Sequence, residues 1–389
     1  MPIALFAYGF RPFFFAVGVA ALVLVPWWAG SFAFGWPLGS GWPPTLWHAH
    51  EMLFGFIAAA IAGFLLTAVP SWTGRRGFAG IPLMALAALW ALGRIVVCSS
   101  ALWLLPVVAA IDLAFLLALA ALIAVALLRA RNRNTPLLAV LGLLWACNAV
   151  FYWALAAFDA TRAALALRVG IDIVLVLVTV IGGRIVPAFT ASGLKARGDE
   201  VALRAWRGVT PLVVALMAVV AAVDALRPDG PLAGWVALAA ALAQGVRLLQ
   251  WRTLRTLGMP IVWVLHVGYA WLPVGLALKA LALLNGAVIA AFWVHALTIG
   301  ALSTMILGVM TRATLGHTGR PLVASPAIVV AYLLLTAAAI VRVFGLLWWR
   351  HNYPGVVVVS GLLWTGAFGV FVAVYAPMLW SPRVDDRAG

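Results

Sequence analysis

Residues 101–128 read ALWLLPVVAAIDLAFLLALAALIAVALL. A helix that crosses the hydrocarbon core of a bilayer needs about 20 mostly apolar residues. This stretch exceeds that length with a single charge, Asp112, and it is followed at once by Arg129, Arg131 and Arg133. A helix satisfies its own backbone polar groups, which is the condition for lying in lipid. The segment is therefore read as one span of a membrane protein.

Working outward, eleven more runs of the same kind appear: 12–29, 45–69, 81–97, 136–158, 163–187, 206–226, 232–250, 259–283, 286–310, 325–347 and 353–378. Composition agrees, with 66% hydrophobic and 9% charged residues among 389 and a mean hydropathy of +1.13. Soluble domains run at roughly 45–50% apolar and about 25% charged. A water-soluble enzyme and a disordered chain are excluded. So is a disulfide scaffold, because Cys98 and Cys147 both sit in apolar runs. The first run ends in Trp27 and Trp28, where a removable signal peptide would need small residues. The remaining loops are short, so the expectation is one polytopic all-α membrane domain, 1–389, with its chemistry inside the spans.

An even number of spans puts both termini on one side. Arg11, Arg75, Arg76, Arg129, Arg131, Arg133, Arg184, Lys195, Arg197, Arg204, Arg207, Arg247, Arg252, Arg255, Arg312, Arg320, Arg383 and Arg387 share that side, 18 of the 25 basic residues. Arg94, Arg162, Arg168, Arg227, Lys279, Arg342 and Arg350 take the other. The positive-inside rule makes the first set cytoplasmic. The expectation is a membrane protein with both termini on the cytoplasmic side, and the net charge of +15 needs no nucleic-acid partner.

Three segments align without gaps: LLTAVPSWT (65–73), GGRIVPAFT (182–190) and MTRATLGHT (310–318). Each sits at the cytoplasmic end of the second, sixth or tenth span. The offset of 245 between the first and third also superposes Gly55 on Gly300, Gly63 on Gly308 and His50 on His295. Pro12, Pro136 and Pro260 open the first, fifth and ninth spans at intervals of 124, a position where proline is tolerated. The pattern suggests three four-helix repeats, approximately 1–130, 131–255 and 256–389. That is also the plan of haem–copper oxidase catalytic subunits, a fold-level analogy only.

Ionisable residues within a span are costly and are functional candidates by default. The sharpest cluster is Trp47-His48-Ala49-His50-Glu51-Met52 at the outer end of the second span. At about 100° per residue, His48 and Glu51 share a face while His50 points nearly opposite to His48. His295 matches His50 in depth, so the two suit axial ligands of a haem between the second and tenth spans, with His48 beside them. Imidazole suits iron and copper equally. No CxxCH occurs, so a haem would be non-covalent, of b type. Glu51 can orient a ligand, relay protons or carry a raised pKa. His266 in the ninth span and His317 after the tenth suggest a second haem or metal site near the cytoplasmic face. Arg184 and Arg312, then Arg11 and Arg320, are the candidates to pair with haem propionates. Asp112, Asp172 and Lys279 are further ionisable residues within spans, and His351 lies in an outer loop.

With these residues in view, the chain resembles the NnrS family of haem- and copper-containing membrane proteins of the bacterial nitric oxide response. The matching stretches are GFRPFFF (9–15), WHAHEMLFGF (47–56), GFLLTAVPSWTG (63–74), GGRIVPAFT (182–190), LHVGYAWLPVG (265–275) and HALTIGALSTMILGVMTRATLGHTGRPL (295–322). The resemblance implies haem binding and protection against nitrosative stress. Copper is a further candidate, although no adjacent His-His pair occurs and the sixth span has no histidine. A haem-only or altered centre fits better than a copper-dependent oxygen reductase. The leading expectation is a haem b oxidoreductase, with one or two haems, that binds nitric oxide and reduces it with electrons from membrane quinol. The alternatives are a secondary transporter with a histidine site, whose fold would also carry internal repeats, and a factor that hands haem or copper to another nitric oxide enzyme.

Overall fold

The computed structural model describes residues 4–199, 203, 206–287 and 292–385. Arg204 and Arg387, counted above among the cytoplasmic charges, and residues 288–291 of the tenth predicted span lie outside the described residues. The described chain is helical, with no strand among the described residues.

Twelve of its helices are long and apolar enough to cross a membrane: α1 (Phe10–Phe34), α2 (Pro44–Thr73), α3 (Ile81–Cys98), α4 (Leu105–Arg129), α5 (Leu137–Ala156), α6 (Ala160–Ala196), α7 (Val209–Leu226), α8 (Pro231–Leu249), α9 (Pro260–Asn285), α10 (Trp293–His317), α11 (Pro326–Trp348) and α12 (Tyr353–Trp380). Local chemistry sets several ends. Proline stands at or beside the first position of α2, α3, α4, α8, α9 and α11, where its missing N–H costs no helical bond. Gly35, at φ +69°, closes α1: its N–H donates to the Ser31 carbonyl, and Trp36 N–H donates to that of Gly30. These bonds satisfy carbonyls the helix leaves over.

Two helices differ from their predicted extents for a physical reason. Hydropathy sees only the apolar part of a helix. α6 runs past the expected 187, through Pro187, to Ala196, and so gains Thr190. The tenth span is displaced from 286–310 to Trp293–His317, because the left-handed Gly286 ends α9. His317 is consequently the last residue of α10 instead of a loop residue.

By contacts the chain forms two compact units. The first holds the described residues of Met1–Gly170, Thr314–Arg320 and Phe368–Gly389. In it α1 packs on α2 where the Phe14 ring fills the space a Cβ on Gly63 would take, 2.7 Å away. The second unit is Ile171–Ala313 with Pro321–Ala367. There α9 and α10 meet through glycine on both sides. A Cβ on Gly275 would lie 2.6 Å from Leu297, and one on Gly300 would lie 2.5 Å from Trp271. Small residues of this kind let membrane helices approach closely, with packing as the main attraction.

Both units contain a π-helical segment that begins directly after a histidine. One is Glu51–Ile57, after His50 in α2, and the other is Ala296–Ser303, after His295 in α10. Such segments are rare and recur at functional sites.

Candidate functional site

The π segment of α2 sets the geometry of the first unit's interior. An ordinary helical wheel groups Glu51 with His48. In the structure Glu51 turns instead to His50, whose Nδ1 lies 3.2 Å from Glu51 Oε1. The Gly55 carbonyl also accepts from Trp90 Nε1 on α3, at 3.0 Å. Glycine at 55 leaves room for the side chain that crosses there, since a Cβ would sit 3.1 Å from Arg94 Cδ.

Arg94, from α3, joins two helices. Its Nη1 donates to Glu51 Oε1 and its Nη2 to Asp112 Oδ1 on α4. Asp112 Oδ2 accepts from Asn148 Nδ2 at 2.7 Å and from the Tyr152 hydroxyl at 3.1 Å, both on α5. The amide of Asn148 is thereby oriented, and its Oδ1 faces His50 Nε2 at 3.1 Å, with Asp112 Oδ2 3.2 Å from the same nitrogen. His50 and Glu51 are 0% exposed and Arg94 is 8% exposed. Phe151, Phe54 and Trp42 wall the imidazole, with centroids 4.8, 5.1 and 5.4 Å away. Four helices therefore converge on one guanidinium, two carboxylates and one imidazole within a membrane-spanning core. Only Oε2 of Glu51 is left without a hydrogen bond on that carboxylate.

The other predicted residues are placed as follows. His48 is half-buried against the Trp28 ring, at 4.9 Å. His295 opens α10 in the second unit, half-buried, with Phe292 at 6.5 Å. His266 is fully buried in that unit; its Nε2 meets Thr190 Oγ1 at 2.8 Å and its Nδ1 meets Thr253 Oγ1 at 3.0 Å. His317 belongs to the first unit and stacks on Tyr8 at 5.7 Å. Arg312 is buried with its guanidinium 4.1 Å from the Phe189 ring centre, whereas Arg184 is exposed. Lys279 pairs with Asp224 inside the second unit and lies 5.0 Å from the Trp293 ring. His351 stands in an exposed turn.

Arg94, Asn148 and Tyr152 are partners that sequence reasoning missed. A signal existed for the first: Arg94 is one of the seven basic residues on the side that the positive-inside rule disfavours. Three of those seven, Arg94, Lys279 and Arg342, are buried. A charge that defies the topology rule is a candidate for an interior role.

The donor sets bear on what could bind. A neutral imidazole donates from one nitrogen and accepts at the other, and a metal takes the place of one partner. At His50 and at His266 both nitrogens already face protein oxygens, so coordination by either would replace a hydrogen bond. Among the described residues, no three His, Cys, Asp or Glu side chains are grouped to hold a metal ion. A haem, which asks for one or two axial imidazoles, demands less of the fold than a caged copper.

Fold and site together define a polytopic α-helical membrane protein with an ionic cluster buried among its spans. The profile of the NnrS protein family matches residues 4–383, nearly the whole chain. The chain belongs to the NnrS family and, with it, to the membrane proteins related to the nitric oxide response. A comparison with curated proteins finds no match.

Proposed function

We propose that this NnrS family member is a haem b-binding protein of the bacterial inner membrane that binds nitric oxide and reduces it with electrons from membrane quinol. The observation that carries the reading is the buried cluster of His50, Glu51, Arg94 and Asp112. Charges at membrane depth are expensive and mark sites that handle ions, protons or cofactors. Haem b, when bound, supplies an iron that takes nitric oxide and accepts electrons. His48, His50, His295, His266 and His317 are the ligand candidates. In the arrangement described, His50 and His266 suit a supporting role, each held at both nitrogens. Glu51 keeps Oε1 on Arg94 and His50, which leaves Oε2 to take up and release a proton. Arg184 and Arg312 are the candidates to neutralise propionates, and copper remains a second candidate metal.

The test is the visible spectrum of the purified protein, oxidised and dithionite-reduced, with haem and copper counted per chain. The expected result is a b-type spectrum that His295→Ala diminishes and His351→Ala leaves unchanged. A colourless, metal-free preparation from haem-replete cells overturns the proposal and favours a transporter. Anaerobic consumption of nitric oxide with a quinol donor then separates reduction from binding alone.

A further inference from the structure

Two motifs that lie far apart in sequence, GFRPFFF (9–15) and the GHTGR (316–320) that follows the tenth predicted span, meet at one end of the first unit. Tyr8 and Phe10 flank the His317 ring, at 5.7 and 5.5 Å. Burial pushes the Tyr8 phenol above the ordinary tyrosine range, so it is a neutral wall here. Three arginines gather around these rings. Arg11, at 1% exposure, donates from Nη1 to the carbonyl of Leu379 at 3.0 Å and to that of Ser381. Arg383 donates from Nη1 to the His317 carbonyl at 2.9 Å, and from Nε and Nη2 to the Asp385 carboxylate at 2.7 and 2.6 Å. Arg320 and Arg383 are near enough for their charges to act on Arg11.

Capping explains part of this. The C-terminal ends of α10 and α12 leave carbonyls over, and arginine side chains satisfy them. It does not explain the rest. Nε of Arg11 and Nη1 of Arg320 are buried donors with no acceptor, and a buried donor left unmade is costly. Nor do the charges of the described residues balance here: Asp385 pairs with Arg383, and no carboxylate among the described residues pairs with Arg11 or Arg320. Two guanidinium groups with unused donors ask for an oxyanion, whose several acceptor oxygens suit arginine. The depth supports one kind. Arg11 is the second residue of α1, Arg320 lies three residues beyond α10, and Arg383 lies three beyond α12. All three therefore stand at helix ends, where bilayer headgroups lie.

We propose that Arg11 and Arg320, with the charge of Arg383 beside them, form a phosphate-type oxyanion site, independent of any haem. The ligand is free phosphate or the phosphate of an anionic phospholipid, and one experiment separates the two. The full-length protein is purified in a phosphate-free maltoside detergent, and thermal unfolding is followed by tryptophan fluorescence. Inorganic phosphate is titrated against chloride at matched ionic strength, and phosphatidylglycerol is titrated in parallel. The expected result is a saturable rise in melting temperature with at least one of them. Response to phosphate assigns a free anion, and response to phosphatidylglycerol alone assigns a headgroup. In Arg320→Gln the apparent Kd weakens at least tenfold, while Arg131→Gln behaves as the native chain. If Arg320→Gln does not survive extraction, Arg320→Lys replaces it, with the same requirement of a weakened response. No saturable rise with either ligand, or an unchanged response in the Arg320 variant, overturns the proposal.

Discussion

Arg94 is held by two carboxylates from two different helices, and among the described residues neither carboxylate has another cation in hydrogen-bond contact except the imidazole of His50. Removing the guanidinium leaves Glu51 and Asp112 facing each other's charge in a low-dielectric interior. Breaking a buried ion pair by deleting one partner costs about 3–5 kcal/mol. Arg94→Gln is therefore expected to lower the melting temperature sharply, or to prevent folding. Asp112→Asn, which leaves the Glu51–Arg94 pair in place, should cost clearly less. Thermal unfolding of the two purified variants checks the order, and equal losses would count against Arg94 as the centre of the cluster. Little of this pairing was legible in sequence. Asp112 is conspicuous inside an apolar run, but nothing in its neighbours names Arg94, Asn148 or Tyr152. Those contacts depend on which helices adjoin and how each is rotated, and neither property is local.

At the scale of elements, the hydropathy pattern anticipates all twelve helices because burial in lipid is a sum over consecutive residues. It cannot register a change of helical pitch. The π segments after His50 and His295 have ordinary apolar sequences, EMLFGFI and ALTIGALS. Yet the first begins at Glu51, the residue that meets His50. Glycine is the more readable device. Gly300 lets the Trp271 ring lie on the π segment of α10, and a methyl group there would stand 2.5 Å from that ring. Overpacking of this kind costs about 1–3 kcal/mol. Gly300→Ala should lower thermal stability by that order, whereas Gly245→Ala, where a Cβ meets nothing within 4 Å, should not. Matched melting curves for the two variants make the comparison.

For the whole molecule, the expectation from an even number of spans is that both termini share one side, and the arginine distribution predicts that this side is the cytoplasm. A C-terminal fluorescent-protein fusion should therefore be bright, and the corresponding alkaline phosphatase fusion inactive. The opposite result would reverse the orientation. The reversal would also carry the oxyanion site to the other face of the membrane, with Arg11, Arg320 and Arg383 still grouped.

Span number, the approximate place of each span, charge asymmetry and family membership followed from the sequence by itself, because each is a property of consecutive residues or of short motifs. Tertiary structure alone decided which scarce polar groups meet. It joined Glu51 and Asp112 through Arg94, gave His266 the two threonines Thr190 and Thr253, and brought Arg11 to Arg320 across three hundred residues of chain. An isolated charge in lipid is too costly to leave unpartnered, so a partner was to be expected. Its identity is set by helix neighbours, depth and rotation, which only the packed fold determines.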